Sequence, residues 1–234
     1  MCGTTDAARL RSVRCSVVDR VLRPVKARVL APLSALLAER LGRHGALPIT
    51  LAGLVVGLAT ALAAALAAFP AALALWLLNR LLDGLDGEVA RHLDRADDRG
   101  GYLDLLSDLV VYAAVPLGAA AGVTATLGGE VITASPWVWP LTALLLAAFY
   151  VNLGSYAVLA ALLEKRGRGA LARGDTTSMV IPAGLVEGTE TVLLVAAMLA
   201  FPAQLPLWLG LGAALVAATA AQRVWWAART LRAV

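Results

Sequence analysis

Four aspartates, Asp83, Asp86, Asp104 and Asp108, punctuate a stretch of chain whose surroundings are otherwise apolar. Asp83 and Asp86 are three residues apart, and Asp104 and Asp108 are four apart. Both spacings put side chains on one face of a helix. Carboxylates crowded into a low-dielectric pocket repel one another and are costly to keep ionised. Protonation would relieve the repulsion. A hard divalent cation would relieve it and also give the cluster a purpose, because carboxylate oxygens are the ligands that Mg²⁺ prefers. Two such ions held by four aspartates suit an in-line phosphoryl displacement, in which attacking and leaving oxygens are both stabilised. A carboxylate within hydrogen-bond reach of an alcohol can also accept its proton as the oxygen attacks phosphorus.

The small residues next to these acids fit the same chemistry. Gly87 and Ala90 share a helix face with Asp83 and Asp86, leaving a shallow trough where a nucleotide can lie against backbone. Arg91 follows at the helix end and can grip a phosphate with two parallel hydrogen bonds. Helix packing also uses small residues, and an arginine at that place can be a plain interfacial anchor. Acids on matching faces of two successive helices favour the binding reading.

The elements that must position these groups are membrane helices. Of 234 residues, 60% are hydrophobic and only 15% charged, against about a quarter charged in soluble domains. The mean hydropathy is +0.77. Residues 49–69 and 140–163 carry no charge, and roughly 20 apolar residues in a helix cross a hydrocarbon core of about 30 Å. The pattern predicts an all-α, polytopic membrane protein with six transmembrane helices near 49–69, 71–92, 101–123, 136–163, 178–201 and 205–228. "FP" at 69–70 and "FPAQLP" at 201–206 read as tight turns on one side.

The Lys and Arg residues are assigned to the N-terminal tail, the loops 91–101 and 164–178, the C-terminal tail, or Arg80 within the second span. The positive-inside rule then places both termini and both basic loops in the cytoplasm, at a cell inner or plasma membrane. Trp137, Trp139 and Trp208 are expected at the outer interface, and Trp225 and Trp226 at the inner one. Asp83 then sits about 18 Å along its helix from the outer end, in the cytoplasmic part of the bilayer. Asp104 and Asp108 enter their helix from the same side. The net charge of +4 reflects this asymmetry and gives no reason to invoke nucleic acid.

Residues 17–43 are amphipathic, with Leu30, Leu33, Leu37 and Leu41 at helical spacing and Pro24 and Pro32 dividing the segment. Such a segment suits the cytoplasmic headgroup region; a helix packed on the cytoplasmic loops is the alternative. The division is therefore an interfacial segment over 1–48 and a six-helix transmembrane domain over 49–234. No cleavable signal peptide precedes the first long apolar run, and Cys2 and Cys15 read as cytosolic thiols.

Asp83-x-x-Asp86-Gly87-x-x-Ala90-Arg91, eight residues, Gly100, three residues, Asp104, three residues and Asp108 resembles the signature of the CDP-alcohol phosphotransferase family. The resemblance implies that family's transmembrane fold. It implies transfer of a substituted phosphoryl group, commonly phosphatidyl from CDP-diacylglycerol, to an alcohol with release of CMP in phospholipid synthesis. It also implies two Mg²⁺ or Mn²⁺ ions and a homodimer. Position by position, Asp83, Asp86 and Asp104 match the metal ligands. Asp108 matches the general base, near enough to the metals to help bind them. Asp83, Gly87, Ala90 and Arg91 match the nucleotide-contacting part. Thr50 resembles a family threonine near the nucleotide, although the asparagine often found three residues before it is Leu47 here.

The acceptor side is less defined. Glu187 and Glu190 form a further pair three apart on the fifth span, and intramembrane acids usually face a polar cavity. Lys165, Arg166, Arg168 and Arg173 precede them on the cytoplasmic side, where they serve either as phosphate ligands or as plain topology signals. Cations beside acids favour a phosphorylated polyol, such as inositol phosphate or glycerol phosphate, over a neutral alcohol. Two other functions use buried acids. An intramembrane prenyltransferase would draw its aspartates from two separated motifs, and an ion-coupled carrier would place them near the midplane between repeats.

Overall fold

The computed structural model describes residues 32–41, 45–93, 98–124, 131–132, 135–167 and 188–232, and all regular structure among them is helical. In chain order the elements are α1 (32–41), α2 (Leu47–Ala65), α3 (Phe69–His92), α4 (Asp98–Thr124), α5 (Val138–Lys165), α6 (Gly188–Ala200) and α7 (Leu205–Arg232). Five of the expected spans coincide with α2, α3, α4, α5 and α7 to within a few residues. The remaining one, the fifth span at 178–201, is seen from Gly188 onward as α6. Its earlier part, with Glu187, lies outside the described residues, as do Arg168, Arg173 and most of the segment 17–43.

Four stretches, Leu47–Ala65, Arg99–Thr124, Val138–Lys165 and Pro202–Arg229, are long and apolar enough to cross a membrane. Helix α3 is also long, at 24 residues. It falls outside that set because its second half carries Arg80, Asp83, Asp86, Glu88 and Arg91. The chain is an all-helical membrane protein, and its most polar long helix bears the candidate chemistry.

Helix boundaries follow local rules. Prolines stand in the first turns of α2 and α3, where a missing N–H leaves no helical bond unmade. The turn expected at "FP" comes slightly earlier. Ala67 takes a left-handed φ of 57°, and Ala68 N–H donates to the Ala63 carbonyl at 2.9 Å, closing α2 with the bond pattern of a C-terminal cap. Phe69 and Pro70 already belong to α3. The residues Pro202–Gln204 form a single 3-10 turn between α6 and α7.

Small residues let α2 sit close to its neighbours. Gly53, Gly57, Thr60 and Ala64 form its buried stripe. On α4, Gly118 and Gly122 press against the backbone carbonyls of Ala61 and Ala64, in space that a Cβ would have to share. Helices α2, α3 and α4 therefore make one tight group, α5 pairs with α7, and α6 bridges them through contacts with α3, α4 and α7. Trp76, Val111, Val115, Leu145, Met198 and Leu209 build the shared core.

Three expectations change here. Arg223 is not in a cationic tail: it lies within α7 and is buried. Trp208 packs against the main core and Trp226 against Leu159 and Leu163, whereas Trp137, Trp139 and Trp225 are exposed. In α1, Ala38, Leu37 and Leu41 pack on Ile49, Leu85 and Val89 of α2 and α3. The described part of the amphipathic segment thus rests on protein, with Leu33 and Leu36 exposed.

Candidate active site

The four aspartates do come together. Asp83 and Asp86 from α3 and Asp104 and Asp108 from α4 line one narrow cleft, closed on its third side by Thr50 and Gly53 of α2. Asn79, Arg80 and Ser107 complete its polar lining. The cause is geometric. Two helices with acids at i, i+3 and i, i+4 each present one carboxylate face, and the glycine stripe of α2 lets that helix close over both.

Asp86 is the most deeply set acid, 5% exposed. It accepts a 2.8 Å hydrogen bond from the Thr50 hydroxyl across the α2–α3 contact. Thr50 is itself buried. A buried carboxylate needs such a donor, since an unpaired one is costly to desolvate. Asp83 and Asp108 face Arg80 instead. The Arg80 Nη2 lies 2.9 Å from Asp108 Oδ1 and its Nη1 lies 3.7 Å from Asp83 Oδ2.

The anionic and hydroxyl donors are all oxygen, four carboxylates and the hydroxyls of Thr50 and Ser107 round one cleft, which is what a hard divalent cation takes. By donor chemistry the residues fit Mg²⁺ or Mn²⁺. The carboxylates are nevertheless not gathered on a single point. Among the described residues no three His, Cys, Asp or Glu side chains are close enough to share a metal ion, and the cation that Asp83 and Asp108 meet is a guanidinium.

Gly87, Ala90 and Arg91 lie farther along α3 and are not part of the cleft lining. They continue the face that carries Asp83. A Cβ built on Gly87 would stand 3.5 Å from the Arg91 guanidinium, so Arg91 folds back along the glycine trough. It is exposed and pairs with Glu88 at 2.8 Å. Lys165 ends α5 and is exposed, and Glu190 sits in the first turn of α6; neither lines the cleft.

Sequence reasoning gave no role to Asn79, Arg80 or Ser107, nor to the part-buried pair in which Arg223 donates to Asn152 Oδ1 at 2.8 Å. The signal for the first two was present: adjacent polar residues within "LALWLLNRLLDGLD". Intramembrane polar and charged groups are functional suspects by default.

Residues 44–225 match the CDP-alcohol phosphatidyltransferase family. The inner membrane protein YnjF of Escherichia coli (strain K12) is 34% identical over 223 residues, which span 93% of this chain and 98% of that protein. The crystal structure of Mycobacterium tuberculosis phosphatidylinositol phosphate synthase (PgsA1) with CDP-DAG bound is similar in fold. Its TM-score is 0.67 at 21% sequence identity, covering 86% of this chain and 94% of that one.

Proposed function

The chain belongs to the CDP-alcohol phosphatidyltransferase family, and we propose that it moves a phosphatidyl group from CDP-diacylglycerol to an alcohol, releasing CMP. The convergence of Asp83, Asp86, Asp104 and Asp108 on one cleft carries this reading. The likeness to a synthase with CDP-DAG bound supports the choice of donor. Family membership disfavours the prenyltransferase and carrier alternatives.

In the reaction, the acceptor oxygen bonds to the phosphatidyl phosphorus, the bond from that phosphorus to the CMP oxygen breaks, and the acceptor proton leaves. Asp108 takes that proton, its carboxylate standing at the open side of the cleft with 34% of its side chain exposed. Asp83, Asp86 and Asp104 would hold two Mg²⁺ or Mn²⁺ ions, with Asp108 lining the same cleft. When bound, such ions offset charge developing on the leaving phosphate. The Thr50 hydroxyl keeps the Asp86 carboxylate aimed across the α2–α3 contact. Gly87 and Ala90 leave backbone open to the nucleotide, and Arg91, free to swing from Glu88, grips a donor phosphate.

The acceptor is assigned as a phosphorylated polyol, with Lys165, Arg168 and Arg173 meeting its phosphate and Glu187 and Glu190 its hydroxyls. The working arrangement is a homodimer of six-span subunits with termini and cleft on the cytoplasmic side. A purified-enzyme assay with CDP-diacylglycerol, Mg²⁺ or Mn²⁺ and a panel of inositol phosphate, glycerol phosphate, serine and simple alcohols tests the proposal. CMP should appear with one acceptor and not without it. Absence of CMP with every acceptor and every CDP-linked donor refutes the assignment.

A further inference from the structure

The cleft contains a cation that the proposed reaction does not use. Arg80 lies one helical turn before Asp83 on α3, and its side chain is only 10% exposed. Its guanidinium is held from behind by groups unrelated to the acids. It sits 4.7 Å from the Trp76 ring centroid and 5.2 Å from that of Tyr112. The Trp76 and Tyr112 rings meet edge to face at 5.6 Å, and the Trp76 indole N–H donates to the Val192 carbonyl at 3.2 Å. Arg80 Nε and Nη2 donate to Asn79 Oδ1 at 2.9 and 2.6 Å. The Asn79 amide is oriented in turn by donating to the Gly53 carbonyl at 2.8 Å. An aromatic floor and an oriented amide fix the charge in place before any carboxylate is counted. Cation–π and charge-assisted contacts of this kind strengthen when desolvated.

We infer that Arg80 is a positioning residue that reserves Asp108 for proton transfer. Its Nη2 binds Asp108 Oδ1 at 2.9 Å, which engages that oxygen and leaves Oδ2 to meet the acceptor hydroxyl. The fixed positive charge also neutralises part of the carboxylate cluster, so the cleft binds divalent ions less tightly than four unopposed aspartates would. Arg80 thereby separates two jobs that carboxylates of one type could confuse. Asp108 acts as the base, while Asp86 and Asp104, with Asp83 at the longer distance from Arg80, remain for metal. The inference rests on the proposed role of Asp108.

Two measurements on the purified full chain in detergent test it. The first is equilibrium Mn²⁺ binding without substrate, read from the resonance of free Mn²⁺. The second is kcat and acceptor KM for CMP release. In Arg80→Met, Asp108 is freed to join the metal-binding set and a nearby positive charge is gone. Mn²⁺ should bind at least about tenfold more tightly, while kcat falls about 100-fold or more, the range for losing a positioned base. A purely structural role would weaken both. Arg80→Lys keeps the charge without the forked contact, and it guards against misfolding of the methionine variant. It should shift both quantities in the same directions by smaller amounts, about threefold in Mn²⁺ affinity and tenfold in kcat. Equal Mn²⁺ affinity in wild type and folded variants, including none in any of them, overturns the inference, as does weaker binding or an unchanged kcat. The Mn²⁺ titration contains no substrate. A wrong choice of donor would therefore remove CMP release from every protein and leave the Mn²⁺ comparison standing.

Discussion

Replacing Thr50 with valine probes the join between α2 and the acidic helices. The Thr50 hydroxyl donates to Asp86 Oδ2 at 2.8 Å, with Thr50 7% and Asp86 5% exposed. Valine keeps the branched shape, so packing changes little, but the buried carboxylate loses its donor. A hydrogen bond to a charged group contributes about 1.5–3 kcal/mol. If that whole amount supports the donor-bound transition state, kcat/KM for CDP-diacylglycerol should fall roughly 10- to 150-fold, at 1.36 kcal/mol per factor of ten. The melting temperature in detergent should also drop, because Asp86 stays buried without its partner. Thr50→Ser keeps the hydroxyl and should remain within about threefold of wild type, losing only the methyl contact. The assay is CMP release with the donor varied at saturating acceptor, run beside a thermal melt. A valine variant within about twofold of wild type in both readouts would show that the Thr50–Asp86 bond orients nothing of consequence, and the reasoning would fail.

Asp83→Asn should lose activity through metal and donor binding, since a neutral amide poorly replaces an anionic ligand. Asp108→Asn should abolish turnover while CDP-donor binding remains measurable; near wild-type turnover would assign the base elsewhere. Gly122→Val should destabilise the fold by about 1–3 kcal/mol or more, because its Cβ would share space with the Ala64 carbonyl and force α4 off α2. An unchanged melting temperature would contradict that close approach. Single cysteines at Gly128 and Gly169, in a background lacking Cys2 and Cys15, should label from opposite membrane faces. Labelling of both from one side would remove the six-span topology.

Features that depend on short-range periodicity were legible in the amino-acid order. Uncharged runs marked the long helices, and their ends fell where proline and the αL turn at Ala67 allow. Spacings of three and four put Asp83 with Asp86, and Asp104 with Asp108, because helical geometry relates such neighbours whatever the rest of the chain does. A signature of fixed spacing then carried the four acids to one site. How those helices turn towards each other came from packing across the whole bundle. That packing set Thr50 against Asp86 and Arg80 against Asp108, 36 and 28 residues apart in the chain. It moved Arg223 from an assumed tail to a part-buried bond with Asn152, 71 residues away. Trp208, an interfacial anchor by its place in the sequence, packs against the core for the same reason. The rotation of one helix against another depends on which ridges fill which grooves along both surfaces at once. Arg80 shows the limit most clearly: its charge is plain in the sequence, but the carboxylate it holds is set by the fit of α4 against α2 and α3.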